Sequence, residues 1–85
     1  MIPQLTSEDG NMVVDFYPIK KPDGGISEQW FLRTVTFAPH GQVSKKFRNK
    51  VEMELDIRER VAYGYTQTRD NSTLAQLANP FNGAC

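Results

Sequence analysis

The chain is poor in the residues that most often stabilise or arm a small domain. Its one cysteine, Cys85, is the last residue, which excludes an intramolecular disulfide and a zinc site built on thiolates. Its one histidine, His40, cannot assemble a metal site alone and falls in a Pro39-His40-Gly41 turn. No Gly-x-Ser-x-Gly or comparable nucleophile motif accompanies it. Cys85 has no basic neighbour to lower its thiol pKa, and the ending does not resemble a prenylation box. The six glycines are scattered over turns, without a phosphate-cradling loop or a dinucleotide fingerprint. No apolar run approaches the roughly 20 residues of a membrane span. Residues 1–10 lack the basic start and apolar stretch of a signal peptide, so the expected compartment is the cytoplasm. Together these absences predict a non-enzymatic protein with no cofactor, no metal and no membrane partner.

Eighty-five residues make one small domain, 1–85, with 1–10 and 79–85 expected as loose termini. A chain of this size buries only about 60–65% of the surface its unfolded form exposes. Thin cores of this kind are commonly completed by a disulfide, a metal or a partner. With the first two excluded, another protein or self-association is expected. The net charge is zero, from ten cations and ten anions, but it is segregated. Lys45, Lys46, Arg48 and Lys50 form a basic run, followed by Glu52, Glu54, Asp56 and Glu59.

Strand signals dominate the first half. Residues 12–17 (Met-Val-Val-Asp-Phe-Tyr) are β-branched and aromatic. Lys20-Lys21-Pro22-Asp23-Gly24-Gly25 then predicts a hairpin loop, because proline presets φ, Asp bonds its own backbone and glycine takes positive φ. Residues 29–37 carry apolar side chains on both faces (Trp30 and Leu32; Phe31, Val35 and Phe37), as a central strand does. Pro39 and Gly41 end that strand.

The segment from 46 to 57 supports two readings. Val51, Met53, Leu55 and Ile57 alternate with Glu52, Glu54, Asp56 and Arg58, which predicts a strand with one apolar and one charged face. Glu, Met, Leu, Lys and Arg favour helix instead. On a helical wheel Phe47, Val51, Leu55 and Ala62 form one stripe, and Met53, Ile57 and Val61 a second. Giving patterning precedence over propensity, the expected fold is mainly β: a small antiparallel sheet or open barrel of about four strands near 12–18, 28–37, 46–57 and 61–67, with a short C-terminal helix near 72–78 capped by Asn71 or Ser72. The alternative is α+β, with residues 44–60 helical across a three-stranded sheet.

Three groups of side chains invite a function. On a strand, Glu52, Glu54 and Asp56 would lie roughly 6.5–7 Å apart along one face, near the span of paired catalytic carboxylates, although a solvated strand face is the ordinary reading. Lys45, Lys46, Arg48 and Lys50, with Phe47 among them, would suit a phosphate backbone and a stacked base; this is the alternative, nucleic-acid-binding reading. The nine aromatics exceed what a thin core absorbs. Trp30, Tyr17, Tyr63 and Tyr65 are therefore the candidate partner-binding residues. The function expected first is a small protein-binding module (an accessory subunit, inhibitor or assembly factor) acting through an aromatic surface and a sheet edge.

Overall fold

A computed structural model describes residues 2–37, 39 and 41–73. The protein is mainly β, and the described elements are five strands and one helix: β1 (Pro3–Thr6), β2 (Met12–Lys20), β3 (Ile26–Phe37), β4 (Gly41–Phe47), α1 (Lys50–Ala62) and β5 (Thr66–Asp70). The strands form one antiparallel sheet in the order β4-β3-β2-β1-β5. Two hairpins join β2, β3 and β4, while α1 carries the chain from one edge of the sheet to the other. Because β4 and β5 run in the same direction, α1 must run back against both. No described helix is long and apolar enough to cross a membrane.

The turns follow their sequence chemistry. Between β2 and β3 the Asp23 carboxylate accepts from the Gly25 amide at 2.8 Å, and Gly24 adopts φ +91°. In the β1–β2 turn Asp9 accepts from the Ser7 hydroxyl and the Asn11 amide, with Gly10 at φ +75°. Opposite the end of β3, Gly41 leaves room for the Phe37 ring, which a Cβ there would meet at 1.9 Å.

The register separates two faces. Leu5, Val14, Phe16, Phe31, Val35 and Phe47 share one face and close around Met53 of α1, with Ile2, Met12, Ile57 and Tyr65 at the margin. At the same interface one Asp56 carboxylate oxygen binds two guanidiniums, Arg33 at 3.1 Å and Arg60 at 3.3 Å. The opposite face carries Gln4, Asp15, Tyr17, Trp30, Leu32, Thr34, Ser44 and Lys46.

The mainly β class holds, but several boundaries move. The expected strand at 46–57 is a helix from residue 50 onward; of that range only residues 46–47 are strand, the end of β4. Asn49 caps the helix, its side chain accepting from the Glu52 amide at 2.9 Å, and Gly64 at φ +104° follows its last turn. The helical alternative for 44–60 is right in kind, yet the sheet that α1 crosses has five strands rather than three. Of the expected strand at 61–67, residues 61 and 62 finish the helix and β5 begins only at Thr66. The arm expected at 1–10 instead contributes β1, with Leu5 buried. Ser72 and Thr73 form a turn; the rest of the helix placed near 72–78, and the tail at 79–85, lie outside the described residues.

Met53 is the side chain through which α1 meets the core. Met53→Ala should therefore cost about 2–5 kcal/mol, whereas Leu55→Ala, on the outer side of the same helix, should cost well under 1 kcal/mol. Urea unfolding of the two variants checks the difference.

Candidate binding surface

The alternation of residues 51–57 takes on a new meaning on a helix. A step of two residues turns about 200°, so apolar residues at every second position fall on two opposite stripes. Met53 and Ile57 form the inner stripe. Val51 and Leu55 form the outer one, 66% and 53% exposed. The helix thus has an apolar side with no sheet beneath it.

The β4 edge of the sheet continues this surface. Among the described residues β4 pairs only with β3, and none of them pairs with the backbone groups on its other side. A groove of about 580 Å³ separates that edge from α1, lined on the strand side by Lys45, Lys46 and Arg48 and on the helix side by Glu52, Leu55, Asp56 and Glu59. Val43, at the middle of β4 and on the helix face, is 53% exposed. On the opposite face, beside the C-terminal end of β4, stands the half-exposed Trp30. Lysine ammoniums fold back onto aromatic rings here: Lys45 lies 5.3 Å from the Phe47 centroid and Lys46 5.7 Å from that of Trp30. The centre of the edge, Gln42-Val43-Ser44, carries no charge.

The four candidate aromatics do not form one patch. Trp30 flanks the β4 edge, and Tyr63 stands at the C-terminal end of α1, 82% exposed. Tyr17 is buried in the far face, where its hydroxyl accepts from Arg69 at 3.1 Å. Tyr65 is half-buried against the core, its hydroxyl near the Met12 sulfur and its ring under the Arg60 guanidinium. The apolar residues Val43, Val51 and Leu55 join the exposed surface instead. The stripe holding Val51 and Leu55 was legible on the wheel, but not that these two face outward.

The basic run is divided. Lys45 and Lys46 point to opposite faces of the sheet, Arg48 lines the groove beside β4, and Lys50 lines the cleft on the other side of α1. Phe47, placed between them for stacking, is buried in the core. The acidic trio is divided too: Glu52 faces the β4 groove, Glu54 the opposite cleft, and Asp56 is taken up by Arg33 and Arg60. Among the described residues no group of three His, Cys, Asp or Glu side chains converges on a metal position. His40 and Cys85 lie outside the described residues.

A second polar cluster, which sequence reasoning missed, lies where β1 stops short of the end of β2. The Asp15 carboxylate accepts from Gln4 at 2.9 Å, Asn71 at 3.1 Å and Arg69 at 3.3 Å. Asn71, fully buried, also donates to the Phe16 carbonyl at 3.1 Å, accepts from Arg69 at 2.8 Å and gives its amide to the Ile2 carbonyl. Its side chain supplies to β2 the partner that β1 no longer offers. The hydrogen bonds run among the cluster's own members, which marks it as a structural tie. Desolvation, reinforced by the Asp15 charge, raises the Tyr17 pKa above its ordinary 10.0, and Arg69 opposes the shift only in part.

Compared with known proteins, the chain matches no protein-family model, no curated protein and no solved structure.

Two measurements test the tie. Asn71→Ala leaves the Phe16 carbonyl and an Asp15 oxygen short of a donor and should cost about 2–3 kcal/mol in urea unfolding, and Asn71→Asp more, since it sets a second carboxylate against Asp15. Tyr17 holds its proton more tightly folded than unfolded. Its contribution to stability is therefore complete below pH 10.0 and declines as the pH rises through the raised folded value. Tyr17→Phe should flatten the alkaline fall in stability relative to the unmutated protein.

Proposed function

We propose that this protein is a small, non-catalytic binding module whose partner is another protein, engaged along the β4 edge and the neighbouring flank of α1. The observation that carries the reading is a strand edge with no second neighbour among the described residues, bordered on both faces by exposed apolar groups, Val43 and Leu55 on the helix side and Trp30 on the other. An open edge offers a row of main-chain donors and acceptors to an incoming strand, and flanking side chains then give specificity. Trp30 suits this role, being large, rigid and held in place by Lys46. Accessory, inhibitory and assembly roles all work through such surfaces, and the protein would act wherever that partner resides, the cytoplasm being the expected place.

The charge distribution favours a protein over a nucleic acid as the ligand. A phosphate backbone needs cations along a continuous track. Here the groove that holds Lys45, Lys46 and Arg48 is walled on its other side by Glu52, Asp56 and Glu59. A polyanion drawn to one wall is repelled by the other.

The test is capture of partners from the native host lysate by the tagged protein, with and without nuclease, read by mass spectrometry. The expected result is a protein partner retained after nuclease and weakened by Trp30→Ala or Tyr63→Ala, while thermal unfolding of both variants stays close to that of the parent. Loss of every partner on nuclease treatment would transfer the function to the basic residues.

A further inference from the structure

We infer that the occupant of the β4 edge is a second copy of this chain, so that the protein is a two-fold dimer with a continuous ten-stranded sheet. This rests on the reading of β4 as the binding edge and names the partner. An antiparallel neighbour on β4, related by a two-fold axis normal to the sheet, leaves both helices on the same face. Side chains alternate between faces, so each residue at the axis must oppose its own counterpart. The axis then passes through Val43 or Ser44, the uncharged centre of the edge. Centred on Ser44, the pairing sets Lys45 opposite Val43 of the second copy and Lys46 opposite Gln42 of the second copy. Centred on Val43, the lysines of the two copies lie farther apart still. In neither register does a lysine oppose a lysine.

The groove supplies the charge complementarity. Its two walls carry opposite signs, which no ligand of one sign satisfies, but which a second copy satisfies when turned end for end. α1 runs back against β4, so Glu52 lies near the Lys45 end of the strand and Glu59 near the Gly41 end. The two-fold operation brings the Gly41 end of one copy, with its Glu59, to the end of the other that carries Lys45 and Arg48. Each copy then presents an acidic wall to the other's cations. Pairing also covers the exposed Val43 on both copies and gives the unpaired backbone of β4 its partners.

Sedimentation equilibrium over a concentration series, with amide hydrogen exchange of residues 41–46, tests the inference. The expected result is a monomer–dimer equilibrium in which the 41–46 amides gain protection as dimer forms. Val43→Lys, which sets two like charges near the axis, should weaken the dimer by at least about tenfold. Val61→Lys, on the opposite flank of α1 and also exposed, should leave it unchanged. Circular dichroism of dilute Val43→Lys, matching that of the parent, would show that the loss lies in association and not in folding. A monomer at all concentrations would overturn the inference, as would a dimer indifferent to Val43→Lys or one in which the 41–46 amides gain no protection. Binding of an extended uncharged peptide to a monomeric protein, with protection of the 41–46 amides, would also overturn it in favour of a foreign strand. A foreign strand on β4 would overturn the second copy and keep β4 as the binding edge, whereas a captured partner indifferent to Trp30→Ala and Tyr63→Ala would remove the edge reading itself.

Discussion

Among the described residues one helix of 13 residues packs over the core face of a five-strand sheet, and much of the structure follows from that constraint. A helix is about 10 Å across, roughly the width of two strands. It can cover the middle of the sheet but not its margins. Met53 fills the centre, with the Phe, Val and Leu side chains of β1 to β4 closing around it. Asp56, held between Arg33 and Arg60, fixes the helix against β3 at the border of that cluster. What lies beyond the helix, the β4 edge above all, is left with apolar groups and backbone that no other described residue covers.

The parts of this fold that could be read from sequence are those governed by neighbours along the chain. Pro22, Asp23 and Gly24 specify the β2–β3 turn, and residues 12–17 and 29–37 read as strands because of their β-branched and aromatic content. The segment at 51–57 misled because a period of two is ambiguous: it describes a strand with one wet face and equally a helix with one buried and one exposed apolar stripe. Local signals resolve it, with Asn49 just before the helix, Glu52 at cap spacing in its first turn and Gly64 after it. β1 was hidden by its length, since four residues give too little alternation to recognise. The cluster around Asn71 was out of reach for another reason. Its partners Asp15 and Phe16 are 56 and 55 residues away along the chain, and nothing local announces them.

For the candidate surface the balance is similar. The exposure of Trp30 and Tyr63 was legible, because bulky side chains exceed what a thin core can hold. That Tyr17 and Tyr65 are spent inside the protein follows from the register and from Arg69 and Met12, which sequence alone does not place. The basic run lost its unity for a simple geometrical reason: a strand throws consecutive lysines to opposite faces.

The topology also governs the order in which the molecule can be completed. β2, β3 and β4 are successive hairpins and close over short loops, whereas β1 finds its second neighbour only when Thr6 meets Thr66. Contacts between such distant segments are entropically slow to form. During synthesis, residues 2–47 can therefore exist as a four-stranded sheet with two raw edges and an uncovered apolar face before α1 and β5 have left the ribosome. In that interval the nascent chain is at its stickiest, and the time the ribosome takes over the next twenty or so residues sets how long it stays so.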